Sequence, residues 1–269
     1  MKNFYYQLKY YMLFISYNMY FFNKNISSDV DQELVVSLTS YGKRINYRLI
    51  LTLKSLIFQK KRPSTIVVYL SHEDYNKMII FLNKHFIKYN NIIKFVKTYD
   101  FKSYKKIIPV LSEFPNKYII TADDDILYPE DWIKKISISK SKNQLLFYRS
   151  HSFQLDAENK IPSYQLWNFE YYNKNIYNCP TTGGGICFYN GLISTEDYNY
   201  DLIKKYFPTT DDLYLFYIIQ KNKIQTKFIG NTNLIFLYDP SMKELNLNSL
   251  NYINNNISIN FINENLQFE

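Results

Sequence analysis

Short apolar runs alternate with stretches of helical periodicity through the first half of the chain. The runs are rich in β-branched and aliphatic residues, which favours strands. The predicted strands cover residues 34–38, 65–70, 92–96 and 118–122. Between them apolar residues recur at helical spacing, and the predicted helices cover residues 49–57, 74–88 and 104–114. Because parallel neighbours need crossover connections, this alternation predicts an α/β fold with a parallel, doubly wound sheet.

The pattern of the second half is less regular. Pro109 predicts that the third helix begins near it or is kinked. Further short strands are predicted over residues 145–149, 185–189, 225–229 and 234–238. A helix over residues 208–221 is apolar on nearly every side, which predicts a buried helix. From Ser241 the chain is Asn-rich, yet Leu245, Leu247, Leu250, Ile253 and Ile257 can pack, so residues 241–269 are expected to form a terminal helix with a frayed end.

Residues 1–30 differ from the rest of the chain. Residues 1–28 contain no acidic residue, carry Lys2, Lys9 and Lys24, and place Leu8, Met12, Ile15, Met19 and Phe22 at helical spacing. Such a basic amphipathic helix can lie in a membrane interface on anionic lipid, or it can pack on the domain or on a second subunit. The segment lacks a cleavage site and is interrupted by polar groups. We therefore expect a cytoplasmic protein, with the inner-membrane surface as the alternative location.

Charge and cysteine content narrow the possible partners. The 269-residue chain has a formal charge of +8, which suits a phosphate-bearing ligand, an anionic membrane or nucleic acid. The excess is dispersed lysine, without the basic stripe or zinc spacing of a nucleic-acid module, so no nucleic-acid partner is expected. Cys179 and Cys187 are expected to be free thiols in a reducing compartment. The oligomeric state is left open.

Three consecutive carboxylates, Asp123–Asp125, follow the predicted strand 118–122. Their mutual repulsion is offset by a hard divalent cation such as Mg²⁺ or Mn²⁺. In an extended chain Asp123 and Asp125 point the same way and Asp124 the other, so the outer pair can hold one metal beside phosphate oxygens. An acidic turn before a helix starting at residues 129–132 is the alternative. Thr39–Arg44 and Asp100 also follow strands, which favours a ligand site at one edge of the sheet.

Other polar residues offer further chemistry. Gly183–Gly185 precede a strand and predict close backbone approach, either to a sugar or acceptor or within a tight bulge. Asp211 and Asp212 open a helix; one is expected to be its N-cap, and the other can act as a general base. Lys105 and Lys106 can place an ammonium on a diphosphate or can be exposed helix lysines. His151 ends a predicted strand and is the histidine that we place near the site.

Taken in order, these motifs resemble a bacterial family of GT-A-fold glycosyltransferases related to the large family-two group. The matching residues are 35–44, 103–106 with Pro109, 121–125 with 128–129 and Trp132, 149–151, 164–167, 180–185 and 208–212. The resemblance runs from Leu34 to beyond Asp239. The chain departs from the family pattern at Leu213-Tyr214, because a tryptophan often follows the acidic pair in related proteins. It implies a GT-A catalytic domain over residues 31–240. Its expected architecture is a Rossmann-like nucleotide-binding half, with a mixed, mostly parallel sheet flanked by helices, and a smaller acceptor-side half.

The same resemblance implies roles for individual residues. Asp123 and Asp125 belong to a DxD motif that grips the donor diphosphate through Mn²⁺ or Mg²⁺, and the expected donor is a nucleotide sugar, with UDP as its nucleotide. The residues implied to contact the donor are Thr39, Tyr41, Arg44 and Asp100 at the nucleoside and Lys105 at the phosphates. Asp124 is left for the ribose or sugar, and Asp211 or Asp212 is the base of the expected inverting reaction. A retaining reaction is left open, because retaining enzymes share the fold and the DxD motif. The residues expected on the acceptor side are Trp167, Gly183, Gly184, Gly185 and His151.

The expected acceptor is a growing bacterial surface glycan such as lipopolysaccharide or capsule, free or lipid-linked. A phospho-sugar or phospho-alditol transferase is the alternative enzyme, because a DxD can also hold a metal and a pyrophosphate. A glycan-binding protein without enzymatic activity is the third hypothesis. It offers no explanation for one acidic cluster after a strand and another before a helix.

Overall fold

The computed structural model describes residues 12, 14–169, 172–237 and 247–268. The strands are β1 (Val30–Thr39), β2 (Arg62–Ser71), β3 (Ile93–Thr98), β4 (Tyr118–Ala122), β5 (Ile126–Leu127), β6 (Gln144–Phe147), β7 (Ser150–Phe153), β8 (Tyr177–Pro180), β9 (Ile186–Tyr189), β10 (Gln225–Phe228) and β11 (Ile235–Phe236). The helices are α1 (Tyr47–Ile57), α2 (His72–Phe86), α3 (Ile108–Glu113), α4 (Trp132–Ser139), α5 (Tyr200–Tyr206), α6 (Asp211–Lys221) and α7 (Leu247–Asn265). Residues 14–22 are also helical.

A seven-stranded sheet in the order β10-β6-β9-β4-β1-β2-β3 forms the centre of the molecule. Every neighbouring pair is parallel except those that involve β9, which runs antiparallel to β4 and β6. The expected mixed, mostly parallel sheet is therefore confirmed. After β3 the chain returns to the opposite side of β1, so the strand order reverses between β1 and β4. Ligands of such sheets bind beyond the carboxyl ends of the strands at this point.

Side chains that alternate along the strands build two cores, one on each face of the sheet. In β1, Leu34, Val36 and Leu38 pack on the face covered by α1, α2 and α4, whereas Val35 packs on the face covered by α3, α5, α6 and α7. Both faces are thus closed to water, as parallel strands require. Polar residues therefore lie at the edge of the sheet where the carboxyl ends of the parallel strands meet.

Most predicted elements are confirmed within a few residues. The third helix is divided into a 3₁₀-helix, Lys102–Lys106, and α3, which holds Pro109 in its first turn, where proline is tolerated. Strands β7 and β8 pair with each other outside the main sheet. Neither these strands nor α5 was predicted, because the apolar pattern of each is short. Cys179 and Cys187 are buried free thiols, as expected.

The two ends of the chain depart from their predicted packing. Ile253 and Ile257 of α7 are exposed, and the helix packs instead through Ile259, Phe261 and Ile262, so the prediction for the first two residues is wrong. Residues 1–11, with Lys2, Leu8 and Lys9, and Leu245 lie outside the described residues. Within the described part, no helix has both the length and the apolar character needed to cross a membrane.

Candidate functional site

Asp123–Asp125 form a turn at the carboxyl end of β4. The strand ends at Ala122, so the alternation of side chains ends there too. Asp123 accepts a hydrogen bond from Lys106, whereas Asp124 and Asp125 both accept from the guanidinium of Arg44. The expectation that Asp124 faces away from both neighbours is therefore wrong, because a turn rather than a pleated strand sets these directions.

Arg44 clamps this turn from the loop after β1. Its Nη2 lies 2.5 Å from Asp124 Oδ1 and 2.8 Å from Asp125 Oδ2, and its Nε lies 3.1 Å from Asp124 Oδ1. Ser40 donates to the other oxygen of Asp124, at 2.5 Å. Arg44 lies 5.6 Å from the centre of the Tyr41 ring, which is 56% exposed. In this structure Arg44 orients the aspartates, and both oxygens of Asp124 are occupied.

Lys106 joins two acidic groups from opposite halves of the chain. Its Nζ lies 2.7 Å from Asp123 Oδ1 and 3.1 Å from Asp211 Oδ2, and its side chain is 5% exposed. Burial by itself favours the neutral amine, but the charges of Asp123 and Asp211 outweigh it and raise the pKa of Lys106. The ammonium is therefore charged and holds the two carboxylates together.

Asp211 and Asp212 lie in the first turn of α6 and meet Thr182. The hydroxyl of Thr182 lies 2.8 Å from Asp211 Oδ2 and from Asp212 Oδ1, and the Thr182 amide donates to Asp212 Oδ1 at 2.7 Å. The predicted N-cap role is wrong, because Thr210 occupies that position. Burial and then the charge of Asp211 raise the pKa of Asp212 to about 6. Burial also opposes the charge of Asp211, but Lys106 and the hydrogen bond from Thr182 lower its pKa overall.

The glycine triplet packs against three different side chains. A Cβ added to Gly183 would lie 2.0 Å from Asp123 Oδ2, and one added to Gly184 would lie 2.6 Å from Arg149 Cβ. Gly185 has a φ of +100° and faces the Trp132 ring. Close packing inside the protein thus requires glycine at each position.

Tyr128 holds the aspartate turn to the glycine triplet. Its hydroxyl accepts from the Asp123 amide at 2.8 Å and donates to the Gly183 carbonyl at 2.8 Å. Neither Tyr128 nor Thr182 was among the predicted site residues. Both lie in matching motifs, but their contacts with Gly183 and with Asp211 and Asp212 join segments far apart in the sequence, so neither residue had a predicted role in the site.

The remaining residues predicted for the donor side have structural partners. Thr39 donates to the Tyr69 carbonyl at 2.8 Å. Lys105, which is buried, lies 2.5 Å from Asp100, which is exposed at the end of β3. Successive residues of a 3₁₀-helix point about 120° apart. Lys105 and Lys106 therefore reach different carboxylates. Lys106 is the one that contacts Asp123, although Lys105 was the lysine expected at the phosphates.

The two aromatic residues predicted for the acceptor side are mostly enclosed. Burial and then the charge of Arg149 lower the pKa of His151 to about 4, so its ring is neutral, and it packs edge-on against Phe169. Trp167 is 4% exposed, stacks on Phe153 at 4.4 Å and donates to the Pro162 carbonyl. Trp167 is thus a core residue in this structure.

The aspartate turn retains oxygens suited to a hard cation. Oδ2 of Asp123 and Oδ1 of Asp125 have no hydrogen-bond donor among the described residues. Burial, partly offset by Arg44, raises the pKa of Asp125. No group of three or more metal-ligating side chains occurs in the described part of the chain. Mg²⁺ is commonly held by one or two carboxylates together with substrate phosphates, so a two-carboxylate site fits a cation that arrives with a diphosphate.

Comparison with known proteins supports the fold. No family model matches the chain, and no curated protein matches it in sequence. GalNAc-T7, solved with UDP, GalNAc and Mn²⁺, superposes with a TM-score of 0.50 at 11% identity over 82% of this chain and 46% of that one. HddC from Yersinia pseudotuberculosis gives 0.47 at 14% identity, over 77% and 94% of the two chains. The inositol-1-phosphate CTP transferase from T. maritima gives 0.43 at 14%, over 86% and 97%. The chain has a GT-A-like α/β fold, and at this identity the likeness concerns the fold alone.

Proposed function

We propose that the protein is a metal-dependent glycosyltransferase that moves a sugar from a nucleoside-diphosphate donor to a glycan acceptor. The observation that supports this most directly is the position of Lys106 between Asp123 and Asp211. Lys106 links two carboxylate pairs at the ligand-binding edge of the sheet. One pair, Asp123 and Asp125, has oxygens without a hydrogen-bond donor among the described residues, and the other consists of the buried Asp211 and the half-buried Asp212. A glycosyltransferase needs both, one for the donor diphosphate and one for the acceptor hydroxyl.

Asp123 and Asp125 would hold Mn²⁺ or Mg²⁺ through Oδ2 and Oδ1, with a UDP-sugar as the expected donor. The bound cation supplies positive charge that stabilises the departing nucleoside diphosphate. Arg44 and Ser40 fix Asp124 and so hold the turn in place. Asp124 accordingly acts as a positioning residue.

Asp212 is the proposed general base. Its Oδ2 has no hydrogen-bond donor among the described residues, whereas Asp211 is engaged by Lys106 and Thr182. A pKa of about 6 lets Asp212 be ionised at neutral pH yet still accept a proton. Asp212 takes the proton of the acceptor hydroxyl as that oxygen forms a bond to the anomeric carbon. The bond from that carbon to the diphosphate breaks, which inverts the centre.

The proposed acceptor is a bacterial surface glycan, such as lipopolysaccharide or capsule, at the cytoplasmic face of the inner membrane. Support comes from the helix at residues 14–22, which packs on the domain through Phe14, Tyr17 and Phe21. Its other face exposes Ile15, Met19 and Phe22, the last of them 88% exposed. Such an apolar face on a basic protein suits the surface of an anionic membrane.

Binding of UDP measured by calorimetry with and without Mn²⁺ tests the donor site. Wild-type protein is expected to bind UDP at least about tenfold more tightly with Mn²⁺, since one added charge-assisted contact has about this effect. Asp123→Asn and Asp125→Asn are expected to lose that gain. Asp131→Asn, which removes only an exposed ion pair with Lys135, is the control and is expected to keep it.

Metal-independent binding by the wild type would contradict the proposed donor site. Product analysis separates the enzymatic alternatives, because glycosyl transfer releases a nucleoside diphosphate and phospho-sugar transfer releases a monophosphate. A monophosphate product would replace the present proposal with the phosphotransferase hypothesis.

A further inference from the structure

A groove of about 320 Å³ lies between α2 and β3 at one edge of the central sheet. Its lining side chains are mostly apolar and come from α2, the turn after it and β3: Tyr75, Ile79, Phe86, Ile87, Ile93 and Phe95. Asn83 and Asn90 add two side-chain amides. Ile87 is 69% exposed, so the groove presents apolar surface to water, and continuous surface of this kind marks interaction sites.

β3 is the edge strand beside this groove, and among the described residues its one pairing partner is β2. The Ile92 carbonyl accepts a hydrogen bond from the Ile66 amide. Because the direction of hydrogen bonding alternates along a parallel strand, every second residue from Ile92 bonds to β2, and Ile93, Phe95 and Lys97 turn their amides and carbonyls away from the sheet. Open backbone groups of this kind are a template for a further strand.

The surface around the groove is basic. Residues 75–99 contain five lysines and no acidic residue. Lys77 pairs with Glu73 at the start of α2. The other four are exposed and have no acidic partner among the described residues: Lys84, Lys88, Lys94 and Lys97. Lys97 also lies 5.7 Å from the centre of the Tyr75 ring, which places its ammonium at the wall of the groove. The groove therefore suits a partner that carries negative charge.

The open edge of β3 distinguishes among the partners that suit a basic, apolar groove. A second copy of this chain would bring the same four lysines to the interface, and like charges oppose strand pairing. An anionic membrane would attract the lysines and the exposed isoleucine but would offer no strand to pair with the backbone of β3. An extended acidic polypeptide matches all three features, because its backbone, its apolar side chains and its carboxylates each find a partner.

We propose that β3 and the adjoining groove bind an extended acidic segment of a partner protein, which adds to the seven-stranded sheet as a further strand. Its backbone bonds to Ile93, Phe95 and Lys97, its apolar side chains enter the groove, and its carboxylates meet the lysines. In this mode main-chain hydrogen bonds provide affinity and alternate side chains provide specificity. The groove contains none of the carboxylates proposed for catalysis, so partner binding is separable from the proposed enzymatic function.

Three labelled peptides test the added strand by fluorescence anisotropy on the full-length protein. The first places three isoleucines between four glutamates, the second has glutamine in place of every glutamate, and the third carries an N-methyl group on every backbone nitrogen of the first. The first is expected to bind at least about tenfold more tightly than either of the others. Glutamine removes the charges and N-methylation removes the backbone donors, so the two comparisons measure separate contributions.

Lys97→Pro and Lys97→Ala separate the backbone of β3 from its charge. Both variants lose the ammonium, but proline also removes the amide that faces away from β2, a position where edge strands tolerate it. Lys97→Pro is expected to bind the first peptide at least about tenfold more weakly than Lys97→Ala. Lys227→Gln, on β10 at the opposite edge of the same sheet, is the control and is expected to bind as the wild type does. Circular dichroism checks that each variant is folded.

Equal binding of the three peptides by the wild type, or equal binding of the first peptide by the two Lys97 variants, would overturn the proposal. Either competing occupant would overturn it as well. A dimer seen by sedimentation velocity that Lys97→Pro dissociates and Lys97→Ala retains would assign the edge to a second copy of the chain. Binding to phosphatidylglycerol vesicles that Lys94→Gln with Lys97→Gln abolishes would assign this surface to a membrane.

Discussion

Lys106 sets the charge balance of the candidate site at the scale of single residues. A buried ammonium costs desolvation energy unless carboxylates surround it, and here it has Asp123 and Asp211. The lysine beside it, Lys105, is equally buried, but its partner Asp100 is largely exposed. Loss of Lys106 would therefore leave two carboxylates of the site without their counter-charge, whereas loss of Lys105 would leave only the exposed carboxylate of Asp100.

We expect Lys106→Met to lower the free energy of unfolding by about 3–5 kcal/mol, because the buried Asp211 and the partly buried Asp123 lose their counter-charge. Lys105→Met, which strands only an exposed carboxylate, is expected to cost about 1 kcal/mol or less. Urea denaturation without divalent metal measures both. Equal losses in the two variants would show that the contacts of Lys106 with Asp123 and Asp211 contribute no more to stability than the contact of Lys105 with Asp100.

At the scale of elements, the Asn-rich composition of α7 has a structural use. Asn263 donates to the Ile161 carbonyl at 3.0 Å and accepts from the Ile161 amide at 2.9 Å. Asn256 accepts from the Tyr164 amide at 2.9 Å. These side chains satisfy backbone groups of the segment that leads to Trp167, for which the described residues provide no neighbouring strand. The terminal helix thus secures an irregular segment.

Asn263→Ala is expected to lower the free energy of unfolding by about 1–3 kcal/mol, since it removes both hydrogen bonds to Ile161. Asn260→Ala lies on the same helix at an exposed position and is expected to change stability by less than about 0.5 kcal/mol. Thermal and urea unfolding give the two values. A loss at Asn260 as large as that at Asn263 would mean that the measurement reports general helix stability and not the hydrogen bonds between Asn263 and Ile161.

At the scale of the whole molecule, the helix at residues 14–22 divides its apolar residues between two surroundings. Phe21 is buried against Phe58, while Tyr20 and Lys24 bind Glu130 and fasten the end of the helix. Met19 and Phe22 face solvent. Packing on the domain and an exposed apolar face therefore coexist, although the sequence presented them as alternatives.

Met19→Ser with Phe22→Ser is expected to reduce binding to phosphatidylglycerol vesicles by tenfold or more, since each large apolar side chain that enters a membrane contributes about 1.5–3 kcal/mol. Ile80→Ser with Ile138→Ser, which removes two equally exposed residues from α2 and α4, is the matched control. Vesicle sedimentation measures the partitioning. Unchanged binding in the first double variant would exclude this helix as the membrane contact.

Local periodicity was enough to predict most of the fold. The run 118–122 and the helix before it needed no tertiary information, because a strand buried on both faces leaves a continuous apolar run and a helix buried on one face leaves a period of 3.6. The acidic pairs were also visible, since charges at the end of an apolar run are costly without a partner. The small strands β7 and β8 were not predicted, because each is too short to show a period.

The sequence by itself determined the α/β architecture and the candidate carboxylates, because periodicity and charge are properties of neighbouring residues. The tertiary structure alone decided that Lys106 rather than Lys105 meets Asp123, that Asp124 shares Arg44 with Asp125, and that Gly184 packs on the Arg149 side chain. Each of these facts depends on the direction of a side chain after a strand or turn ends. Contacts between distant segments fix that direction, and no local pattern records it.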